Sequence, residues 1–250
     1  MTYDLVSLGK KAKSAGKTLG VSSTNIRNNA LQAIADALIK NSDEILEANR
    51  LYIETARSKG MRAAMIDRLT LTTERIDAIA DAVCELIALA DPVGIIESGC
   101  VRPNGIQILK SRVPFGVVAM IYEARPNVTV DAATLCIKSG NACILRGGSE
   151  AYATNKTLVA IMRNALTECG LPADVIGFVE DTSHETATRL MKLSKYVDLL
   201  IPRGSARLIN SVVENATVPI IETGVGNCHI YIDRDADLEM GVAITNNGKT

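Results

Sequence analysis

Pro202-Arg203-Gly204-Ser205 and Glu222-Thr223-Gly224-Val225-Gly226 are the two segments whose residue types and order could do chemistry. The first closes an apolar run, Val197 to Ile201, too brief for a helix, and opens an amphipathic pattern with Leu208, Ile209, Val212 and Val213 on one face. A strand that feeds a helix through a glycine turn leaves the backbone N–H groups of the first helical turn unpaired above the sheet, an arrangement that binds phosphate. The second segment follows an apolar run, Val218 to Ile221, and so sets the carboxylate of Glu222, an acid or base, at the carboxyl end of a strand. Open α/β sheets bind ligands there. Either segment alone is also ordinary strand-turn-helix punctuation, and a glutamate after a strand is commonly a solvated loop residue; the order of the segments gives them weight.

The elements that must position these residues are legible from Gly116 onward. Short apolar runs at Gly116–Ile121, Ala142–Arg146, Val175–Val179, Val197–Ile201 and Val218–Ile221 read as buried strands, with a further one at Cys228–Asp233. Helical patterns lie between them, such as Thr154 to Cys169 with the stripe Leu158, Ile161, Met162, Ala165, Leu166. Alternating strand and helix implies an α/β fold with a doubly wound parallel sheet. Neither Gly-x-Gly-x-x-Gly nor a Walker loop occurs, so any phosphate site uses a different turn. Upstream, Ser22–Lys40, Asp43–Ser58 and Glu74–Leu89 read as three helices, and Val93–Ser98 with Gly105–Arg112 as an exposed β-ribbon that needs a partner. The expected division is 1–224, holding the helices, an oligomerisation ribbon (about 93–112) and a nucleotide-binding domain, and 225–250, the start of a second, catalytic domain.

Composition excludes several classes. The chain has 250 residues, is 47% hydrophobic and carries a net charge of −1, so nothing marks a nucleic-acid surface. Lys10, Lys11, Lys13 and Lys17 read as a solvated face. No apolar run approaches the ~20 residues of a membrane span, and the amino terminus lacks a secretory apolar region, so a cytoplasmic protein away from membranes is expected. The six cysteines are scattered without C-x-x-C and read as small buried hydrophobes. With only His184 and His229 available, no metal site is expected.

Several segments carry a family likeness. They are Met120-Ile-Tyr-Glu-Ala-Arg-Pro-Asn-Val-Thr-Val-Asp131, Ser139-Gly140-Asn141 with the strand to Arg146-Gly147-Gly148, Gly170-Leu171-Pro172, Arg203-Gly204-Ser205 and Glu222-Thr223-Gly224-Val225-Gly226. In that order they resemble the aldehyde dehydrogenase superfamily across nearly the whole chain. The first of them resembles the signature of the branch that reduces gamma-glutamyl phosphate.

The resemblance implies roles. Arg146 stands where the superfamily places a lysine at the adenosine ribose, and a guanidinium there favours NADP through the 2′-phosphate. Gly204 and Ser205 would hold the pyrophosphate, with Gly147 and Gly224 as further cofactor contacts. Glu222 takes the place of the general base and is expected near the nicotinamide. Asn127 takes the place of the oxyanion-stabilising asparagine, whereas a gap-free alignment puts Glu123 there. Arg125 would bind the substrate phosphate or carboxylate; helix capping is the alternative for Arg125 and Asn127.

By resemblance, a cysteine thiolate attacks the acyl phosphate, phosphate leaves, and NADPH reduces the thioester to glutamate 5-semialdehyde. That cysteine would lie about 34 residues beyond Glu222, near position 256, outside this sequence. The implied partners are gamma-glutamyl phosphate, a second copy of the chain in a homo-oligomer, and glutamate 5-kinase. The alternatives are a non-catalytic NADP-binding fragment and another oxidoreductase of the superfamily.

Overall fold

Five helices precede the first strand among the described residues: α1 (Leu5–Gly20), α2 (Thr24–Lys40), α3 (Ser42–Ser58), α4 (Ala63–Leu69) and α5 (Thr73–Ala88). The structure, a computed structural model, describes residues 3–58, 60–123, 125–222, 224 and 228–249. Ala124, Thr223, Val225, Gly226 and Asn227, which fall in the segments singled out above, lie outside the described residues.

Three of these helices match their sequence periodicity; α1 and α4 do not follow from it. The buried stripe of α1 is Leu5, Gly9, Ala12, Ala15, Gly16 and Leu19, small residues that give little hydrophobic contrast. Their size has a purpose. A Cβ on Gly9 would stand 2.7 Å from Cβ of Tyr196, and one on Gly16 3.2 Å from Cβ of Ala142. Lys10, Lys11 and Lys17 are solvated as expected, but half-buried Lys13 reaches Asp198 Oδ1 at 3.4 Å.

The ribbon is a two-stranded antiparallel pair, β1 (Ile96–Val101) and β2 (Gln107–Ser111), exposed at every position. There follow β3 (Val117–Tyr122), α6 (Pro126–Lys138), β4 (Ala142–Arg146), α7 (Tyr152–Glu168), β5 (Ile176–Phe178), α8 (His184–Met191), β6 (Leu199–Arg203), α9 (Ala206–Asn215) and α10 (Leu238–Lys249). The four later strands form one parallel sheet in the order β5-β4-β3-β6. The chain winds outward from β3 to β5 and then returns to the other side of β3, so the strand order reverses between β3 and β6.

Both faces of the sheet are covered, as a parallel sheet requires. Val118, Cys143, Leu145 and Leu199 belong to the core shared with α2, α5, α6 and α7. Val117, Ala119, Ile121, Ile144 and Leu200 alternate with them into the core shared with α1, α8 and α9. Of the expected stripe on α9 only Val212 is buried, and Val213 is exposed.

Two expected strands are corrected. Val218–Ile221 makes a single parallel bridge, Ile220 to Leu200, because Pro219 has no N–H to give a ladder and contributes only its carbonyl to Leu200 N–H at 2.8 Å. Cys228–Asp233 forms no strand, and Ile230, Tyr231 and Ile232 are exposed. The cysteine expectation also changes. Cys136 and Cys143 are buried, Cys169 is half-buried, and Cys84, Cys100 and Cys228 are exposed.

Candidate functional site

The strand-order reversal places two carboxyl ends side by side. Tyr122, the last residue of β3, pairs with Arg203, the last of β6, and Glu123 N–H continues the contact to Arg203 O at 3.2 Å. Beyond them the chain enters α6 on one side and α9 on the other. Ser205 is the N-cap of α9, its Oγ accepting from Leu208 N–H at 3.4 Å.

At Gly204-Ser205, where a phosphate cradle is expected, a carboxylate of the protein lies against the start of α9. Glu123 Oε2 accepts from Ser205 N–H at 2.8 Å and Oε1 from Ser205 Oγ–H at 2.9 Å. A Cβ on Gly204 would come within 2.7 Å of that carboxylate, so glycine is what lets the anion approach. Unpaired N–H groups and the positive end of the helix dipole favour an anion at this point.

Helix α6 follows β3 and carries Asn127 in its first turn. Asn127, half-buried, donates from Nδ2 to Asp131 Oδ2 at 3.3 Å. Burial raises the Asp131 carboxyl above its ordinary range, opposed by the Asn127 N–H and the positive charge of Arg203. Arg125 is exposed and occupies the N-cap position of α6 without a side-chain cap bond, so capping does not occupy its guanidinium.

Arg146, at the end of β4, is buried, and its guanidinium Nη2 donates to the carbonyls of Thr182 at 2.5 Å and Ser183 at 3.3 Å. The fork expected to face a ligand is therefore turned largely into the loop before α8. Burial lowers its pKa, while Glu150 and Asp181 act in the opposite direction. Two buried polar atoms beside this loop have no hydrogen-bond partner among the described residues, Arg146 Nε and Glu150 Oε2.

Gly147 has a packing reason in place of an open approach to a ligand. A Cβ there would meet Asn155 Nδ2 at 2.4 Å and the Tyr122 ring at 3.3 Å. Those side chains form a buried network in which Tyr122 Oη and Thr129 Oγ1 are 2.7 Å apart and Thr129 Oγ1 donates to Asn155 Oδ1 at 2.9 Å. Glu222 is exposed, with no side-chain hydrogen bond among the described residues, and Gly224 is exposed with nothing against it. The structure thus brings Glu123, Gly204 and Ser205 together, sets Asn127 and Arg125 on the adjoining helix turn, and leaves Arg146 and Gly147 one strand away.

A groove of about 940 Å³ runs along the α6 side of β3 and β6. Its floor includes Val118, Met120, Leu199 and Ile201, and Asp131 and Arg203 also line it. Sequence reasoning did not single out Asp131, Glu150 or Arg203 for function. Asp131 carried a signal, four residues after Asn127 and so on the same helix face, and Arg203 stood in the turn that resembles the family's phosphate turn; Glu150, in the 3-10 turn after β4, had none.

An open doubly wound sheet whose strand order reverses beside a helix N-terminus that holds a carboxylate places this chain in the α/β class. The profile of the aldehyde dehydrogenase family matches residues 4–250, and the chain belongs to that family. It is 58% identical over 250 residues to the gamma-glutamyl phosphate reductase of Clostridium perfringens (strain SM101 / Type A), matching all of this chain and 60% of that protein. The crystal structure of gamma-glutamyl phosphate reductase from Thermotoga maritima superposes with a TM-score of 0.90 at 43% identity, covering 99% of this chain and 60% of that one. The Saccharomyces cerevisiae enzyme of the same name gives a TM-score of 0.80 at 30% identity, covering 97% of this chain and 62% of that one. The chain therefore spans about three-fifths of the length of these relatives.

Proposed function

We propose that this chain is the cofactor-binding part of an NADPH-dependent gamma-glutamyl phosphate reductase, which forms glutamate 5-semialdehyde and phosphate in proline biosynthesis in the cytoplasm. The observation that carries the reading is the carboxylate of Glu123 on Ser205 at the strand reversal: an anion site built where a dinucleotide's pyrophosphate would lie. The names of the relatives supply the substrate class.

The residues fit a nicotinamide dinucleotide. Gly204 and Ser205 would hold the pyrophosphate after Glu123 withdraws. The unpartnered Glu150 Oε2 suits a ribose hydroxyl, and the unpartnered Arg146 Nε suits a 2′-phosphate, which supports NADP over NAD. When bound, the cofactor supplies the hydride. Asn127, whose 3.3 Å bond to Asp131 is long, would turn its N–H towards the oxyanion, and Glu222 would border the nicotinamide with Gly224. Arg125, exposed beside them, would meet an anionic group of the substrate.

The nucleophile is assigned to a cysteine beyond residue 250, and residues 225–250 to the start of the domain that carries it. Leu238, Met240, Val242 and Ile244 on α10 are exposed, as two i, i+4 pairs on opposite sides of the helix. The ribbon is assigned to homo-oligomer contact, and glutamate 5-kinase to the supply of the labile acyl phosphate. The test follows NADPH formation from glutamate 5-semialdehyde, phosphate and NADP, comparing this chain with one extended through the expected cysteine. Turnover by the extended chain alone is expected. Equal turnover by the short chain, abolished by Cys228→Ser, would move the nucleophile to Cys228.

A further inference from the structure

We propose that Arg203 reads the phosphate of the acyl-phosphate substrate, a specificity-determining role that rests on the function proposed above. Leu199, Ile201 and Arg203 alternate onto one face of β6, so a single guanidinium follows two apolar side chains along the floor of the groove. Among the described residues that guanidinium makes no hydrogen bond and no ion pair within 4.0 Å. Asp131 shares the groove but stands beyond ion-pair contact with it.

Bond counting decides which anion it meets. The carbonyl carbon under reduction must lie against Asn127, the candidate oxyanion donor. The phosphate is joined to that carbon through one oxygen, whereas the substrate's other carboxylate is several carbons away. The positive charge of Arg203 acts on Asp131, which lies one helical turn on from Asn127 and accepts from it at 3.3 Å. A planar fork with free N–H groups beside an apolar floor suits a phosphate, whose charge grows as its bond to carbon breaks.

Titration of the 250-residue chain with inorganic phosphate, and separately with acetyl phosphate as a simple acyl phosphate, tests this through backbone amide NMR shifts. Both ligands are expected to shift Arg203, Asp131 and Met120 saturably. Arg203→Gln should weaken both by about tenfold or more, the loss of one charge-assisted contact. Arg203→Lys should fall between, since an ammonium keeps the charge without the fork. Asp131→Asn should tighten both by removing a competing anion, and NADPH affinity should stay level in the Arg203 variants. The inference is overturned if phosphate shifts are absent, if Arg203→Gln leaves phosphate affinity unchanged, if Asp131→Asn weakens it, or if NADPH affinity falls in parallel, which would make the cofactor the guanidinium's ligand. Phosphate binding at Arg203 by a chain that binds no NADPH would uphold this inference while defeating the cofactor reading.

Discussion

Glu123 is the residue on which cofactor entry turns. Its carboxylate and a pyrophosphate would compete for Ser205 N–H and Oγ–H, so removing its charge should favour the ligand. Glu123→Gln is predicted to bind NADPH several-fold more tightly by calorimetry, and weaker binding would mean that the carboxylate helps the cofactor. Arg146 carries a different liability. Its loss strands the Thr182 and Ser183 carbonyls, so Arg146→Ala should cost about 1–3 kcal/mol of stability besides any change in cofactor preference. Urea unfolding without cofactor isolates that cost; a midpoint equal to wild type would show the carbonyl contacts to be idle. Asp131 gives a pH signature. Burial raises its carboxyl pKa in the folded chain, so its ionisation opposes folding: the penalty is absent below the unfolded-state value and fully present above the folded one. Asp131→Asn should therefore be more stable than wild type near pH 7, with the gap closing as pH falls through the carboxylate range; a gap that widens on acidification contradicts the shift. Gly204 and Ser205 were legible as types and spacing, and Glu123 only through the resemblance, at a different role. That the glutamate would lie on the serine was not, because the contact joins residues far apart in sequence through the pairing of β3 with β6.

Among the elements, legibility followed hydrophobic contrast. The helices α2, α3 and α5 announce themselves through large apolar residues, and the sheet strands β3 to β6 through short apolar runs. Helix α1 hides because glycine and alanine line its buried face, and what they contact, Tyr196 and Ala142, becomes visible only in three dimensions. Gly9→Val tests that account. A gain in helix propensity over glycine of well under 1 kcal/mol is outweighed by overpacking of about 1–3 kcal/mol against Tyr196, while Lys10→Ala on the solvated face should stay within about 0.5 kcal/mol. Equal urea midpoints for the two variants would remove α1 from the packed structure. The false strand at Val218–Ile221 has the converse cause: an apolar run does not show where its ladder donors are missing, and Pro219 removes one.

The described residues form a doubly wound sheet with helices on both faces, together with an exposed ribbon and a largely exposed α10. An isolated two-stranded ribbon bearing exposed Ile96, Ile106, Ile108 and Leu109 is marginal in water, so light scattering of a chain extended to the length of its relatives should find an oligomer at micromolar concentration. A monomer there would contradict the role given to the ribbon. The central claim, that the strand reversal between β3 and β6 holds a dinucleotide pyrophosphate on Gly204 and Ser205, is tested most directly by calorimetric titration of NADPH into the 250-residue chain and its Gly204→Val variant. Saturable binding of one NADPH per chain, lost in the variant, is predicted; no binding, or equal binding by both, would contradict it.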